Sequence, residues 1–384
     1  MTARAAHPEP PEPPEPPKPP KPQQPLDPQQ PQKSRTSHQP LQPQQPPGRP
    51  EPPTPSERPE AVCVMDPAVA DSVLPADLRA RLCELVRLAP PSTSDGRDPG
   101  AALGDAEILI SGWGCPRLTA DVLARAPRLR VVIHAAGTVK SLVSEAVWER
   151  GIVVSSAADA NAGPVASYTV ALIALAARRT LTMAAGYPRV WPATADRSGA
   201  DGMTVGIVGA SRIGRRVVAE LAGSGAGYEI LLYDPYITDD EARRLGARRA
   251  GLAELCRLSR VVSVHAPLLP ETTGLLDAAM LALLPDGGAL INTARGPVVD
   301  TEALTRECAT GRIEAYLDVT DPEPLPPDHP LAALPNVLLT PHIAGAQGSE
   351  VRRLGQYAVE ETERWVAGRP LLGEVTREAL PRLA

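Results

Sequence analysis

The amino-acid sequence predicts an α/β protein with two doubly wound parallel-sheet domains. From residue 61 onward, short runs rich in Val, Ile and Leu alternate with longer segments of helical pattern, which is typical of β-α-β units. Ten such runs are present, more than a typical sheet contains. A helical stretch from about Gly163 to Arg179 separates the first four runs from the last six. Two sheets, each covered by helices, are therefore expected.

The candidate strands define the expected domains. Those of the first group lie at residues 61–65, 107–111, 130–134 and 152–155. Those of the second group lie at residues 204–209, 229–233, 261–265, 288–292, 314–318 and 337–340. We expect a first domain at 61–162, completed by the C-terminal segment 345–384, with a second domain at 163–344 inserted within it. Because ligands of open parallel sheets bind beyond the carboxyl ends of the strands, the site is expected in the cleft between the domains.

Residues 1–60 are predicted to form a disordered extension. They contain 22 of the 46 prolines of the chain, interleaved with Glu, Lys and Gln and with almost no apolar side chains. Such a segment cannot bury enough surface to offset the entropy of ordering, and it favours polyproline II. The run PEPPEPPKPPKP is also compatible with a ligand of an SH3-type domain. No catalytic residue is expected in this extension.

Composition excludes several classes of protein. The net charge of −6 provides no basic field for nucleic acid or an anionic membrane. The longest apolar run, from Val165 to Ala177, is too short to span a bilayer, and the N-terminal residues contain no apolar h-region, so a secretory signal is not expected. The five cysteines are scattered and form no C-x-x-C pair, so they indicate reduced thiols in a cytoplasmic protein without a metal site.

A glycine-containing turn between a strand and a helix indicates a dinucleotide site. The run TVGIVG leads into GASRIG at residues 209–214 and then into a helical pattern. Gly209 permits the tight turn, and Gly214 permits close packing of helix and strand. The N-terminal residues of the helix, Ser211, Arg212 and Ile213, then face the pyrophosphate with free N–H groups. Ser211 stands where G-x-G-x-x-G has its second glycine, and its hydroxyl can itself donate to phosphate.

An acidic residue at the end of the next strand predicts the type of coenzyme. Asp234 follows the run EILLY, twenty residues after Gly214, where a carboxylate accepts from the ribose hydroxyls of adenosine. A carboxylate there repels a 2′-phosphate, so NAD is favoured over NADP. The alternative is that Asp234 is a turn residue before Pro235.

Six segments together resemble the D-2-hydroxyacid dehydrogenase family over nearly all of residues 61–384. They are VVIHAAGTVKSLV, TVGIVGASRIG, HAPLLPETTGLLD, INTARGPVVDTEAL, LDVTDPEPLPPDHPLAALPNV and LLTPHIAGA. The resemblance implies a Rossmann NAD domain inserted in a flavodoxin-like substrate domain. It also implies hydride transfer between NAD(H) and a small D-2-hydroxy acid or 2-keto acid, usually by a homodimer.

The resemblance assigns three catalytic residues: Arg295 in NTARG, Glu323 in DPEP and His342 in TPHI. A planar guanidinium at Arg295 is suited to grip the substrate carboxylate and to polarise the reacting oxygen. His342 is suited to protonate that oxygen during reduction and to remove the proton during oxidation. Glu323 is expected to orient the imidazole ring and to stabilise the imidazolium. Taken singly, each residue also has a purely structural interpretation. Arg295 could form an ion pair, Glu323 could be a solvated loop acid, and His342 could be a histidine of the core.

The resemblance assigns further contacts to the coenzyme. These involve Asp318 in LDV, Thr293 and Ala294 before the catalytic Arg, and His265 and Pro267 after VVSV. His265 is equally well interpreted as a histidine at the end of a strand.

Substrate contacts are expected from the first domain as well as from Arg295. Ala136, Gly137 and Thr138 match the loop whose backbone N–H groups bind the substrate carboxylate in the family. Here AAGTV replaces the usual G-x-G-V-D. Trp113 is expected either at the border of the pocket or in the core.

Two other functions share these motifs. Within the same fold, Glu323 disfavours formate dehydrogenase chemistry, where Gln accompanies the His, whereas phosphite oxidation is compatible with the motifs. From a different class, an NAD-sensing transcriptional corepressor can retain the full catalytic trio. Turnover of a 2-keto acid with NADH distinguishes an enzyme from a sensor.

Overall fold

The computed structural model describes residues 58–89, 103–187 and 189–382. The extension predicted at residues 1–60 lies outside the described residues, except for residues 58–60. The described chain forms two parallel-sheet layers with helices, so the predicted α/β fold class is confirmed.

Thirteen strands make up the two sheets of the described chain. They are β1 Glu60–Val64, β2 Arg87–Leu88, β3 Ile108–Ser111, β4 Val131–His134, β5 Val153–Ser156, β6 Thr204–Val208, β7 Glu229–Tyr233, β8 Arg248–Arg249, β9 Val261–Val264, β10 Ala289–Asn292, β11 Glu314–Leu317, β12 Val337–Leu339 and β13 Glu374–Val375. All ten predicted strands are present, each within one residue of its expected ends.

Twelve α-helices connect these strands within the described residues. They are α1 Pro67–Val73, α2 Ala76–Leu85, α3 Ala120–Ala124, α4 Glu145–Glu149, α5 Ala158–Ala177, α6 Thr180–Gly186, α7 Arg212–Gly223, α8 Asp239–Leu245, α9 Leu252–Leu258, α10 Ala278–Ala282, α11 Thr301–Ala309 and α12 Arg352–Val366. Short 3-10 turns complete the connections, the last of them at Leu380–Arg382.

The first sheet has the strand order β13-β5-β4-β3-β1-β2. Its strands are parallel except for β13, which pairs antiparallel with β5. Ser111 at the end of β3 lies opposite His134 at the end of β4, so polar side chains mark the carboxyl edge. The C-terminal part of the chain returns to this sheet, because β13 joins its edge and α12 packs on α2.

The second sheet has the strand order β12-β11-β10-β9-β6-β7-β8 and is parallel throughout. The order runs outward from β6 in both directions, so the chain reverses direction beside β6. In open α/β sheets this reversal is the point at which ligands bind. Helix α7 leaves β6 at this point.

The strands are recognisable because helices cover both faces of each sheet. Every residue of β3, β4, β9, β10 and β11 is buried. Strands buried on both faces are expected to be nearly continuous apolar runs without alternation, and each of these five is apolar apart from one or two positions. Helix α7 buries one face through Gly214, Val217, Val218 and Leu221, a spacing that follows the helical period.

Helix α5 connects the two sheets and begins at Ala158, five residues earlier than the sequence suggested. The domain boundary predicted between residues 162 and 163 therefore falls within this helix. By length and composition α5 is apolar enough to cross a membrane, but half of its apolar window is buried inside the protein. Its buried residues, among them Leu172 and Ile173, belong to the core under the second sheet. We interpret α5 as a core helix.

Candidate active site

Two cavities lie at the carboxyl ends of the strands. The larger has a volume of about 620 Å³ and is lined by loops after β3 and β4 of the first sheet and after β6, β10, β11 and β12 of the second. The other, of about 470 Å³, lies beside β6 and β7. Ser211 and Arg382 line both, so the cavities adjoin each other.

His342 and Glu323 form a hydrogen-bonded pair at the larger cavity. The distance from His342 Nδ1 to Glu323 Oε1 is 2.7 Å. An ionised carboxylate can only accept, so Nδ1 donates and Nε2 is left for a ligand in the cavity that His342 lines. His342 has a positive φ of 54°, an uncommon conformation for this residue type. Both side chains are about half exposed, so a proton can exchange with solvent.

Asp318 holds the loop that carries His342. This buried carboxylate follows β11 and accepts from the hydroxyl of Thr340 at 2.6 Å and from the backbone N–H groups of Ile343 and Ala344 at 2.8 Å each. The backbone carbonyl of Asp318 also accepts from the N–H of His342. Asp318 thereby positions the imidazole, in addition to lining the cavity.

Arg295 follows β10 and lines the same cavity. Its guanidinium is half-buried; burial lowers the pKa, and the neighbouring Glu323 carboxylate counteracts part of that effect. Asn292 fixes the backbone here, since its amide donates to the carbonyl of Arg295 at 2.9 Å and accepts from the N–H of Ala294 at 3.0 Å. The structure thus places Arg295 and His342 in the lining of one cavity, with the carboxylate of Glu323 hydrogen-bonded to the imidazole.

The first sheet supplies the opposite wall of the larger cavity. Gly137 and Thr138 line it from the loop after β4, whereas Ala136 is buried behind them. The hydroxyl of Ser156 donates to the carbonyl of Gly137 and so ties this loop to β5. Trp113 lines the cavity with 38% of its surface exposed, so it belongs to the wall and not to the core.

The glycine turn joins β6 to α7 beneath both cavities. Gly209 has a φ of 104°, and a Cβ there would lie 2.7 Å from the backbone nitrogen of Ala266. A Cβ on Gly214 would lie 2.0 Å from the carbonyl oxygen of Gly209. Only glycine fits at position 209 or at position 214, as the sequence predicts. Ser211 caps the helix by accepting from the N–H of Gly214 at 3.3 Å.

Asp234 lines the second cavity and also holds the glycine turn. Its two carboxylate oxygens accept from the N–H groups of Ala210 and Tyr236, each at 2.8 Å. Asp234 is therefore a turn residue, as the second interpretation of the sequence proposed, and it also lines the cavity. Each oxygen retains a further lone pair for a ligand in the cavity.

Comparison with known proteins identifies the family. Residues 170–344 match the family described as D-isomer specific 2-hydroxyacid dehydrogenase, NAD binding domain. A glyoxylate reductase from Aeropyrum pernix is 35% identical over 275 residues, covering 69% of this chain and 81% of that protein. The chain belongs to the D-isomer-specific 2-hydroxyacid dehydrogenase family.

Other members of the family share the sequence and the fold. D-3-phosphoglycerate dehydrogenase from Methanocaldococcus jannaschii is 33% identical over 272 residues, which cover 69% of this chain and 50% of that protein. The chain spans about half the length of the phosphoglycerate dehydrogenases that it matches. The crystal structure of the TT0316 protein from Thermus thermophilus aligns with a TM-score of 0.67 at 32% identity, covering 83% of this chain and all of that one. The resemblance inferred from the motifs is confirmed.

The second sheet is the NAD-binding domain of this family, and its geometry fits the coenzyme. Gly209 permits the tight turn against the backbone of Ala266, the N-terminus of α7 presents N–H groups without intrahelical partners, and Asp234 provides acceptors in the neighbouring cavity. Arg212 and Ile213 line the larger cavity at this helix end. The coenzyme predicted from the sequence, NAD, is confirmed.

Some of the predicted contacts lie outside the cavity linings. Pro267 lines the second cavity, but His265 lies behind the glycine turn, where its Nε2 bonds to Ser263 and its Nδ1 is buried without a described partner. Thr293 lines the larger cavity and bonds to Thr169 of α5, whereas Ala294 is buried beneath it. For these residues the coenzyme role stays a prediction.

Several residues at the cavities were missed by sequence reasoning, among them Asn161, Tyr236 and Arg382. Asn161 of α5 lines the larger cavity and accepts from the N–H of Ala346 at 2.9 Å. Tyr236 and Arg382 line the second cavity and contact each other. None of these three lies in a motif that the resemblance covers, so the sequence contained no signal for them.

Proposed function

We propose that the protein is an NAD-dependent D-2-hydroxyacid dehydrogenase that interconverts small 2-keto acids and D-2-hydroxy acids. The observation that carries this proposal is the 2.7 Å pair of His342 and Glu323 at a cavity that Arg295 and the glycine turn also line. This set provides a proton carrier, an anion site and a coenzyme site within one cleft, which reduction of a keto acid requires.

Arg295 binds the substrate in this proposal. Its guanidinium grips the carboxylate through two parallel hydrogen bonds and lies near the reacting oxygen, where it favours developing negative charge. The backbone N–H groups of Gly137 and Thr138 complete the carboxylate site from the opposite wall. Half-burial of Arg295 strengthens these bonds, because less water competes for the charges.

His342 moves the proton. Bound NADH supplies the hydride to the carbonyl carbon, and NAD accepts it in the reverse direction. The Nε2 of His342 donates a proton to the carbonyl oxygen during reduction and removes it from the hydroxyl during oxidation. Glu323 accepts from Nδ1 throughout, which keeps the ring oriented and stabilises its protonated form.

Asp234 sets the preference for NAD over NADP in this proposal. Its carboxylate accepts from the adenosine ribose hydroxyls with the lone pairs that Ala210 and Tyr236 leave free. A 2′-phosphate at the same place meets a like charge at short range, and this disfavours NADP.

We further propose that the side chain of the substrate is uncharged. The loops after β3 and β4 contribute Trp113, Gly137 and Thr138 to the cavity lining, and none of these three is charged. Lys140 of the loop after β4 lies near Arg295 but does not line the cavity. Trp113 offers an apolar wall, which favours an alkyl or aryl group over a phosphate. Several relatives are named D-3-phosphoglycerate dehydrogenase, so this proposal separates the chain from them.

A substrate screen tests both proposals. Purified protein and NADH are mixed with glyoxylate, pyruvate, hydroxypyruvate, bulkier apolar 2-keto acids or 3-phosphohydroxypyruvate, and the loss of NADH absorbance is followed. We expect turnover of at least one uncharged keto acid and the lowest kcat/KM for the phosphorylated one. NADH binding without turnover of any keto acid would instead indicate the sensor alternative, which the comparisons do not favour.

We propose that the protein is a homodimer. An apolar surface on α5, α6 and the following residues exposes Leu175 (42%), Tyr187 (66%), Val190 (63%) and Trp191 (74%). The rings of Tyr187 and Trp191 contact each other with centroids 6.0 Å apart, and exposed apolar surface of this kind favours an interface between chains. In sedimentation velocity the wild type is expected at twice the chain mass and Trp191→Glu as a monomer. Leu372→Glu, on an exposed apolar residue elsewhere, is the matched control. A monomeric wild type would refute this proposal.

We also propose a cytoplasmic location. All five cysteines are free thiols, which suits a reducing compartment, and α5 is a core helix in our interpretation. Cell fractionation followed by immunoblotting is the measurement, and recovery in the membrane pellet would contradict the proposal.

A further inference from the structure

The C-terminal turn, Leu380–Arg382, spans the two cavities. Leu380 packs against the core cluster of the first sheet, which contains Val154 and Val375. Two residues later, Arg382 lines both the larger cavity and the cavity beside β7. The turn therefore starts on the first sheet and ends above the NAD-binding domain.

An aromatic ring supports the guanidinium of Arg382. Its Cζ atom lies 5.2 Å from the centroid of the Tyr236 ring, within the range of a cation–π contact. Tyr236 is fixed in turn, because its backbone N–H donates to Asp234 at 2.8 Å. Among the described residues, no hydrogen bond or ion pair engages the guanidinium of Arg382, so its donors remain available for an anion.

The other cations near the glycine turn are already engaged. Arg212 pairs with Asp159 of α5 at 2.8 Å, and Arg216 approaches the same carboxylate oxygen at 3.6 Å. The Nε of Arg215 donates to the carbonyl of Ala210 at 2.8 Å. A neutral carbonyl leaves the charge of Arg215 in place, so the two negative charges of a pyrophosphate at this place would meet the positive end of α7 together with the charges of Arg215 and Arg382.

We infer that Arg382 is a coenzyme-binding residue whose guanidinium contacts the pyrophosphate of NAD(H) and joins the first sheet to the bound coenzyme. This inference rests on the proposed function. The position at the junction of the two cavities matches the middle of a dinucleotide that extends from Asp234 to Arg295. Coenzyme binding then draws the two sheets together through the C-terminal turn.

Binding measurements on Arg382→Gln test the inference. Dissociation constants are measured by calorimetry for NADH, ADP-ribose and adenosine with the full chain. Loss of a charge-assisted hydrogen bond predicts Kd values about 10-fold higher for NADH and ADP-ribose, with an unchanged Kd for adenosine, which has no phosphate. Arg377→Gln is the matched control, because Arg377 lies in the same segment, pairs with Glu145 and lines neither cavity.

A second readout follows the C-terminal turn directly. Trypsin cleaves after Arg382, and mass spectrometry detects loss of residues 383–384. Saturating NADH is expected to slow this cleavage several-fold, and adenosine is not.

The outcomes separate this inference from the proposed function. If the wild type binds no NADH, the proposed function and the inference both fail. If the wild type binds NADH and Arg382→Gln binds NADH and ADP-ribose equally well, only the inference fails. An equal loss of affinity for adenosine would also overturn it, since the contact would then not involve the pyrophosphate.

Discussion

Replacing His342 by asparagine is expected to remove proton transfer while preserving the loop. His342 has a φ of 54°, in the left-handed region where asparagine is among the best-tolerated residues and alanine adds strain. The asparagine amide is still able to donate to Glu323, but it carries no group that titrates near neutral pH. His342→Asn is therefore a cleaner perturbation than His342→Ala.

The expected effect falls on kcat. General acid–base catalysis by a positioned side chain contributes roughly 10²- to 10⁴-fold to the rate, which corresponds to about 3 to 5 kcal/mol of transition-state stabilisation. The Kd of NADH should stay within about twofold of the wild-type value, since the imidazole acts on the substrate oxygen and not on the coenzyme.

Steady-state kinetics with NADH and the best keto acid measure kcat, and fluorescence titration measures the Kd of NADH. The control is His329→Asn, because His329 caps a short turn by accepting from the N–H of Leu331 and lines neither cavity. The control should keep wild-type kinetics. Near-normal turnover by His342→Asn with every accepted keto acid would refute the assignment of His342 as the proton carrier.

Four further predictions concern substrate binding, the choice of coenzyme, the N-terminal extension and the dependence of stability on pH. Arg295→Lys should lower kcat/KM by about 10- to 100-fold, because an ammonium cannot replace the bidentate grip; wild-type kinetics would contradict this. Asp234→Ala should raise the Kd of NADH about 10-fold and lower the ratio of kcat/KM for NADH to kcat/KM for NADPH. An unchanged ratio would mean that Asp234 is only a turn residue. Deleting residues 1–57 should leave kcat/KM and the melting temperature unchanged, and a large loss of activity would show that the extension belongs to the enzyme. Burial lowers the pKa of His134 from 6.5 to about 4. The unfolded chain thus binds a proton that the folded one excludes, and about 3 kcal/mol of stability should be lost as the pH falls from about 6.5 to 4. Melting curves of the wild type and His134→Gln that stay parallel over this window would contradict that prediction.

The sequence was sufficient for the strands that helices cover on both faces. Strands such as β9 and β10 are short, nearly continuous apolar runs with one polar residue each, and their ends could be predicted to within one residue. The two-residue strands β2, β8 and β13 could not be predicted. Their pairing depends on where tertiary contacts place the chain, and β8 consists of two exposed arginines.

The residues of the site also fall into two groups, those that motifs predict and those that only the fold reveals. Arg295, Glu323 and His342 lie in motifs with a fixed order along the chain. The structure places Arg295 and His342 in the lining of one cavity and Glu323 in a hydrogen bond to His342. Arg382 and Asn161 reach the same cavity from segments without a motif, so only the fold reveals them. The positive φ of His342 and the second role of Asp234 as acceptor for the glycine turn are likewise consequences of tertiary structure.

The positions of the catalytic side chains are set by the ends of two adjacent strands. Asn292 ends β10 and lies opposite Leu317 of β11, and its amide fixes the backbone of Arg295. Asp318 follows Leu317 directly, and its carboxylate and carbonyl hold the loop that carries His342. Glu323 lies five residues beyond Asp318 on the same connection. The sheet pairing between β10 and β11 therefore determines how far the guanidinium lies from the imidazole, and a rigid sheet is the element best suited to keep that distance constant during turnover.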